Sequence, residues 1–317
     1  MDDAEKGSVL VALGGNAILK HTERGTAEEQ RHNIGVTATW LVEMIKHGFR
    51  IAITHGNGPQ VGDILLKNEI AKGTLPPMPI DVCGAESQGL IGYFLQQTMH
   101  NELVRQGLNL PVATVLSQCI VGEDDPALKD PSKPIGPFYT VMEASKLREE
   151  RGWTMIDDSG RGWRRVVPSP KPVSIVEGQV IKRLYDEGFI VIACGGGGVP
   201  VVREEGDRLK GIEAVIDKDH TASALARLIG ADTLLILTDV EGVYAHFGKK
   251  EQSLIGELTA DKARDIIVNG SLPSGSMRPK VEAAVQFVEG GGKRAIITCL
   301  ECALLGLEGK RGTTIIK

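Results

Sequence analysis

The sequence predicts an α/β fold: a three-layer αβα sandwich around an open, mostly parallel sheet, with a small protruding lid. Three observations carry this. Short apolar runs rich in β-branched residues recur without strict alternation, as strands buried on both faces do. Amphipathic helical stretches separate them. Of the 317 residues, 39 are Gly and only 4% are aromatic, which suits many tight strand-to-helix turns better than an aromatic-rich β-sandwich.

The predicted strands are 9–13, 50–54, 112–117, 189–194, 233–238, 295–299 and 313–316. Helical patterns fall at 31–47, 60–71, 85–106, 174–186, 221–229, 260–268 and 280–288. In 85–106, Ile91, Leu95, Met99 and Leu103 recur every four residues and form one stripe. Gly48, Gly107, Gly188, Gly230 and Gly270 stand where C-terminal caps belong. The stretch 122–172 breaks the rhythm with acidic, Pro-rich and Gly-rich pieces, too long for an ordinary connection. It is read as an excursion or active-site lid, placed at 118–170. The remainder is one domain, 1–317, with a first lobe to about 190 and a second from about 191.

The net charge is −5, from 36 basic and 41 acidic residues. A broad nucleic-acid footprint needs a basic face, so nucleic acid is not an expected partner. No apolar run approaches the length that spans a bilayer, and the opening residues Met1-Asp2-Asp3-Ala4-Glu5-Lys6 do not resemble a signal peptide. A cytoplasmic protein without membrane contact is expected. The five cysteines are sparse and odd in number, as in a reducing compartment; Cys299 and Cys302 spell CxxC without a second pair.

Three glycine clusters follow predicted strands: Gly14-Gly15-Asn16, His55-Gly56-Asn57-Gly58-Pro59, and Gly195-Gly196-Gly197-Gly198. Such turns let an anion approach the backbone, and the next helix points unpaired N–H groups at it. Strand C-termini in an open α/β sheet share one edge, so these turns are expected to meet there. Other motifs fail. No GxxxxGK[ST] is present; residues 270–275 have the glycine spacing, but Ser276-Met277 follows. The GxGxxxG spacing at 56–62 lacks the acidic residue of a dinucleotide site. Ala85-Glu86-Ser87-Gln88-Gly89 looks like a nucleophile elbow, yet Ser87 falls on a helical pattern. His55, His220 and His246 lack metal-ligand spacing, so no protein-held metal site is expected.

Two lysine-bearing segments are more informative. Asp217-Lys218-Asp219 precedes one predicted helix, and Ser274-Gly275-Ser276-Met277 leads into Lys280 at another. Two unit charges about 4 Å apart repel by roughly 4 kcal/mol at an effective dielectric of 20. An anionic acceptor meeting a triphosphate adds several such terms. Lysines and glycine-turn amides could offset them, and phosphoryl transfer asks little more of a protein than positioning and charge stabilisation.

Taken together, the residues resemble the amino acid kinase superfamily and, within it, the carbamate kinases. The matching pieces span nearly the whole chain in order: the Gly14, Gly56 and Gly195 turns, Gly84–Gly89, Lys133-Pro134-Ile135-Gly136-Pro137-Phe138-Tyr139, Gly160-Arg161-Gly162-Trp163, Val167–Pro170, Ala214–Asp219, Leu237–Val240, and Gly275–Met277 with Pro279-Lys280. The resemblance implies that Gly14, Gly15 and Asn16, with Gly56, Asn57 and Gly58, hold the transferring phosphoryl group and carbamate. It implies catalytic roles for Lys133, Lys218, Asp219 and Lys280. The nucleotide would be held by Asp217, Lys218 and Lys280, with Thr238, Asp239, Tyr244 and Met277 near the adenosine. Asp219 would orient the two lysines, and Lys133 would close over carbamate or carbamoyl phosphate. The implied activity is ATP plus carbamate giving ADP plus carbamoyl phosphate, with Mg²⁺ carried on ATP or ADP, in a homodimer, used toward ATP in arginine catabolism. The alternatives are a kinase of the superfamily acting on acetylglutamate or glutamate, and a non-catalytic nucleotide sensor. Arg278, in the turn before Lys280, would either add a phosphate contact or point to solvent.

Overall fold

The computed structural model describes residues 6–20, 22–158, 160, 162–269, 272 and 277–317. The first half runs β1 (Gly7–Leu13), α1 (Ala27–Lys46), β2 (Phe49–His55), α2 (Gly58–Ala71), α3 (Ile80–Arg105), β3 (Val112–Val115) and β4 (Gln118–Val121). The middle holds β5 (Lys133–Tyr139), α4 (Val141–Arg151), β6 (Met155–Asp157), β7 (Trp163–Val167), β8 (Pro172–Ile175), α5 (Gly178–Asp186), β9 (Ile190–Ala193), β10 (Val199–Glu204) and β11 (Arg208–Gly211). The last third adds α6 (Lys218–Ile229), β12 (Thr233–Thr238), the short pair β13 (Tyr244–Ala245) and β14 (Ser253–Leu254), β15 (Glu257–Thr259), α7 (Ala260–Val268), α8 (Met277–Glu289), β16 (Arg294–Cys299), α9 (Ala303–Leu307) and β17 (Thr313–Ile316).

Among the described residues, the central sheet has the order β15-β17-β16-β12-β1-β2-β9-β3. Every neighbouring pair in it is parallel except β16 with β17. The mostly parallel sandwich is therefore present. Two apolar clusters cover its faces, one containing Leu10, Tyr185, Leu234 and Phe287, the other Val9, Leu41, Leu95 and Leu235. Successive residues of β1 thus feed opposite faces, which is why its run shows no polar alternation.

The helices begin where local chemistry dictates. Thr26 and Glu29 form a reciprocal capping box that starts α1. Asp217 caps α6, its Oδ1 accepting from Asp219 N at 2.9 Å. The helix expected at 85–106 begins at Ile80 instead, behind Pro79. The pattern expected as helix at 174–186 opens as strand β8, which pairs antiparallel with β4; only Gly178–Asp186 is helical. Strand order reverses between β12 and β1, so the C-terminal ends of β1, β2, β9 and β12 flank the switch point where α/β folds bind ligands.

The excursion contains a second, three-stranded antiparallel sheet ordered β5-β7-β6, with α4 against it. It rests on α2 through a close backbone approach. A Cβ on Gly62 would lie 2.9 Å from Gly136 Cα, so neither chain can come this near with a side chain at 62. Ile135 and Val167 of this sheet also bury against Ile80. Strand β4, at 118–121, belongs instead to a four-stranded sheet with β8, β10 and β11. The cap position Gly270, the glycine spacing at 270–275, the turn residues 274–276 and Arg161 lie outside the described residues. Among the described residues no helix is long and apolar enough to cross a membrane.

Candidate active site

The first two glycine turns meet because β1 and β2 are parallel neighbours in register, Leu13 beside His55. Gly56 N donates to Leu13 O at 3.0 Å, and Gly15 O accepts from Ile18 N at 3.0 Å in the short turn that carries Asn16. Gly14 lies against the end of β12: a Cβ there would sit 2.9 Å from Leu237 O. Thr238, the last residue of β12, is thereby brought to the same rim as Gly14, with Asp239 exposed beyond it.

Asn57 is the N-cap of α2 and is buried. Its Nδ2 donates to Ser87 Oγ at 2.7 Å, and Ser87 in turn donates to Gly84 O at 2.6 Å. Ser87 is fully buried inside α3. It anchors Asn57, and the elbow reading has no structural counterpart. Asn57 also packs on the third turn. Gly196 has φ +66° and no room for a Cβ against the Asn57 amide, so glycine is required there twice over. Gly58 opens α2 and is exposed, leaving first-turn N–H groups facing the rim.

Lys218 reaches the second turn. It is the first residue of α6, and its side chain lies along Gly56, where a Cβ would be 3.4 Å from Lys218 Cδ and 3.6 Å from Gly15 N. Its ammonium pairs with Asp219 Oδ1. Lys280, in the first turn of α8, pairs with the other oxygen of the same carboxylate at 3.2 Å. All three groups are largely buried, with side-chain exposures of 13%, 4% and 7% for Lys218, Asp219 and Lys280. Burial pulls the Lys218 pKa down against the pull of Asp219, and the neighbouring Lys280 charge adds to the fall. For Asp219, burial alone would raise the pKa, but Lys218 and Lys280 outweigh it and hold the carboxyl below its usual range.

The excursion contributes Lys133, whose Nζ sits 2.5 Å from Asp217 Oδ2. Asp217 therefore caps α6 with one oxygen and takes Lys133 with the other. Burial again opposes ionisation, and the Lys133 charge overrides it, so Asp217 titrates well below the ordinary carboxylate range. Three lysines and two aspartates, drawn from β5, α6 and α8, thus form one cluster beside the Gly15 and Gly56 turns.

Two further expected nucleotide residues lie on α8 and on the β13–β14 pair. Met277 opens α8 and packs against the apolar core under the sheet. Tyr244 lies in the β13–β14 pair, its ring centroid 6.1 Å from that of Phe247. Arg278 is spent on Glu282, Nε to Oε1 at 2.8 Å. Among the described residues no three His, Cys, Asp or Glu side chains converge on a metal position. The two site aspartates already answer lysines.

His55 was visible in the sequence only as a residue without ligand spacing. It is 1% exposed, its ring packs against Gly195, and Nδ1 lies 2.9 Å from Gly56 O. A carbonyl only accepts, so Nδ1 carries the proton. Burial pushes its pKa down from 6.5 to about 4, with the Gly56 bond opposing and Lys218 assisting. The unfolded imidazole takes a proton near 6.5 and the folded one only near 4, so stability falls as pH drops through that window. The expected loss is on the order of 3 kcal/mol. His55→Asn is expected to flatten this acid limb in urea unfolding at pH 7, 5.5 and 4. A limb as steep as in wild type would assign the loss to other groups.

A family model described as "Amino acid kinase family" matches residues 8–299. The carbamate kinase of Thermococcus kodakarensis is 50% identical over 312 residues, 98% of this chain and 99% of that one. Among solved structures, carbamate kinase from Giardia lamblia bound to citric acid is 43% identical with a TM-score of 0.92, covering 98% of each chain. The same Giardia enzyme bound to AMP-PNP is 42% identical with a TM-score of 0.91, again covering 98% of each.

Proposed function

The chain belongs to the amino acid kinase family and, within it, to the carbamate kinases; from that premise we propose that it transfers a phosphoryl group reversibly between ATP and carbamate at the rim formed by the three glycine turns. One observation carries the residue-level reading: a single buried carboxylate, Asp219, holds two lysines from separate helices, one of them lying along the Gly56 turn. A carbamate oxygen attacks the γ-phosphorus as the bond to the β–γ bridging oxygen breaks, and ADP leaves. Charge spreads over the transferring group and the leaving oxygen, and preorganised cations act on that charge without reorganising.

In this reading Lys218 and Lys280 contact the terminal phosphates, and Asp219 fixes their spacing. Gly14, Gly15, Asn16, Gly56, Asn57 and Gly58 hold the transferring group and the acceptor. Asn57 keeps its orientation through Ser87. Asp217, Thr238, Asp239, Tyr244 and Met277 line the nucleotide side. Mg²⁺ carried on the nucleotide would neutralise part of the phosphate charge beside Lys218 and Lys280. The second lobe, from about 191, supplies the nucleotide side. The first supplies the acceptor side, and 118–170 acts as its lid. The working direction is toward ATP, from carbamoyl phosphate formed in arginine catabolism. The chain works as a cytoplasmic homodimer, for which exposed Leu90 and Tyr93 on α3, beside the edge strand β3, provide an apolar face.

A coupled assay tests the activity directly. ATP should form from ADP and carbamoyl phosphate, with no phosphorylation of glutamate or acetylglutamate. Nucleotide binding without turnover would replace the kinase reading with a sensor. For the lid, Lys133→Ala is expected to raise KM for carbamoyl phosphate about tenfold or more, as loss of a charge-assisted contact does. The ADP dissociation constant should stay within about threefold in the same calorimetric series. Equal losses on both sides would place Lys133 at the nucleotide instead.

A further inference from the structure

Between the C-terminal half of α2 and the three-stranded lid sheet lies a cleft of about 120 Å³, close to the roughly 150 Å³ that holds a single benzene ring. Leu65 and Met78 form one wall, and Ile135, Tyr139 and Trp153 the other, with Arg165 beside them. The cleft stands apart from the phosphotransfer rim. Gly58 opens α2 at the rim, and Leu65 comes seven residues later, roughly 10 Å along the helix at 1.5 Å per residue.

Arg165 is the group that asks for a ligand. It lies on the central strand of the lid sheet, paired with Ile135 on one side and Met155 on the other. Its guanidinium lies over the Trp153 ring, 4.5 Å from the centroid. Among the described residues it makes no hydrogen bond and one ion-pair contact, Nη2 to Glu213 Oε2 at 3.7 Å, with Glu213 itself 58% exposed. Burial lowers its pKa, as expected of a cation set in an apolar wall without close partners. Neighbouring Arg164 is satisfied, with Gly136 O at 3.1 Å and Asp158 Oδ2 at 3.2 Å. The acid nearest the cleft, Glu69, is committed to Lys72 and Arg151.

We propose that this cleft binds a small aromatic carboxylate, its ring between Leu65, Met78 and Ile135 and its carboxylate on the planar fork of Arg165. A guanidinium already stacked on an indole presents its donor edge, which matches a carboxylate in two parallel hydrogen bonds. One wall belongs to α2 and the other to the lid, so the complete cleft exists only while the lid is docked. The ligand therefore favours the docked lid, by as much as it prefers that state. Binding is independent of the phosphotransfer reading; the effect on substrate rests on it.

The test is calorimetric titration of benzoate, with uncharged benzamide as control, into the whole protein saturated with Mg-ADP. The expected result is one saturable site for the acid and about tenfold or greater weakening for the amide. Arg165→Gln should weaken the acid as much, and Leu65→Trp, which fills the cleft, should abolish it. Lys218→Ala should leave it unchanged. Loss of binding in Lys218→Ala with retention in Arg165→Gln would place the carboxylate at the phosphotransfer rim and overturn the proposal. Equal affinity for acid and amide, or no saturable heat, would do the same. With binding established, benzoate should lower KM for carbamoyl phosphate; an unchanged KM would overturn the lid coupling. An enzyme with no turnover at all would count against the phosphotransfer reading while leaving the calorimetric result standing.

Discussion

Lys218→Ala is expected to lower kcat by about 10²-fold or more in both directions while the protein stays folded. Lys218 lies along the Gly56 turn and shares Asp219 with Lys280. On the proposed reading it sits where phosphate oxygens gain charge as the bond to the leaving group stretches. A single unit charge about 4 Å away contributes roughly 4 kcal/mol at an effective dielectric of 20. Losing 10² in rate corresponds to about 2.7 kcal/mol, so the expected effect lies within what one ammonium can supply. The fold should tolerate the change because the wild-type ammonium is itself strained by burial, which lowers its pKa. Asp219 also keeps its second partner, Lys280 at 3.2 Å. Steady-state rates beside a thermal melt check both halves. A kcat within a few-fold of wild type would remove Lys218 from the catalytic set.

The sequence made the central sheet legible wherever a strand is buried on both faces. The strand at 233–238 and the helix at 260–268 coincide with the predicted limits, because a continuous apolar run and a helical stripe each have one reading. The excursion was opaque for a physical reason. Pro134, Gly136 and Pro137 argue against a strand, yet all three lie in β5. β5 is the edge of its sheet, where a missing N–H need not face a partner. Strand β8 was lost for a different reason: its partner, β4, lies about fifty residues upstream, and pairing at that distance leaves no periodic mark. The site divides the same way. Glycine turns after strands, and lysines at helix starts, are local patterns with local causes. The Lys133–Asp217 pair spans 84 residues and the Asn57–Ser87 bond spans 30. Only Ser87 left a trace, as a small polar residue on the buried stripe of α3.

Asp219→Asn is expected to weaken the folded state more than any other single change in the cluster. Wild type sets two aspartates against three lysines. The variant leaves Lys218 and Lys280 buried and facing each other across an amide, and uncovering a buried charge in this way costs about 3–5 kcal/mol. An asparagine Nδ2 turned toward either ammonium adds repulsion rather than a hydrogen bond. The loss should depend on pH with a sign fixed by the wild-type shifts. The Asp219 pKa is depressed by folding, so its stabilisation is complete above the ordinary carboxylate value near 4 and disappears as pH falls through the folded value. The gap between wild type and variant should therefore close on acidification. It should also narrow at alkaline pH. Folding lowers the Lys218 pKa, and without Asp219 it falls further, so a neutral amine then removes the conflict. Added nucleotide should restore stability near neutral pH, because phosphate oxygens supply the charge that the carboxylate gave. Turnover should stay low even so, since nothing fixes the spacing of the two ammoniums before the nucleotide arrives. Denaturant unfolding at pH 2, 7 and 10, with and without ADP, reads all of this. A variant as stable as wild type at pH 7 without nucleotide would mean that Asp219 does not hold the lysines together.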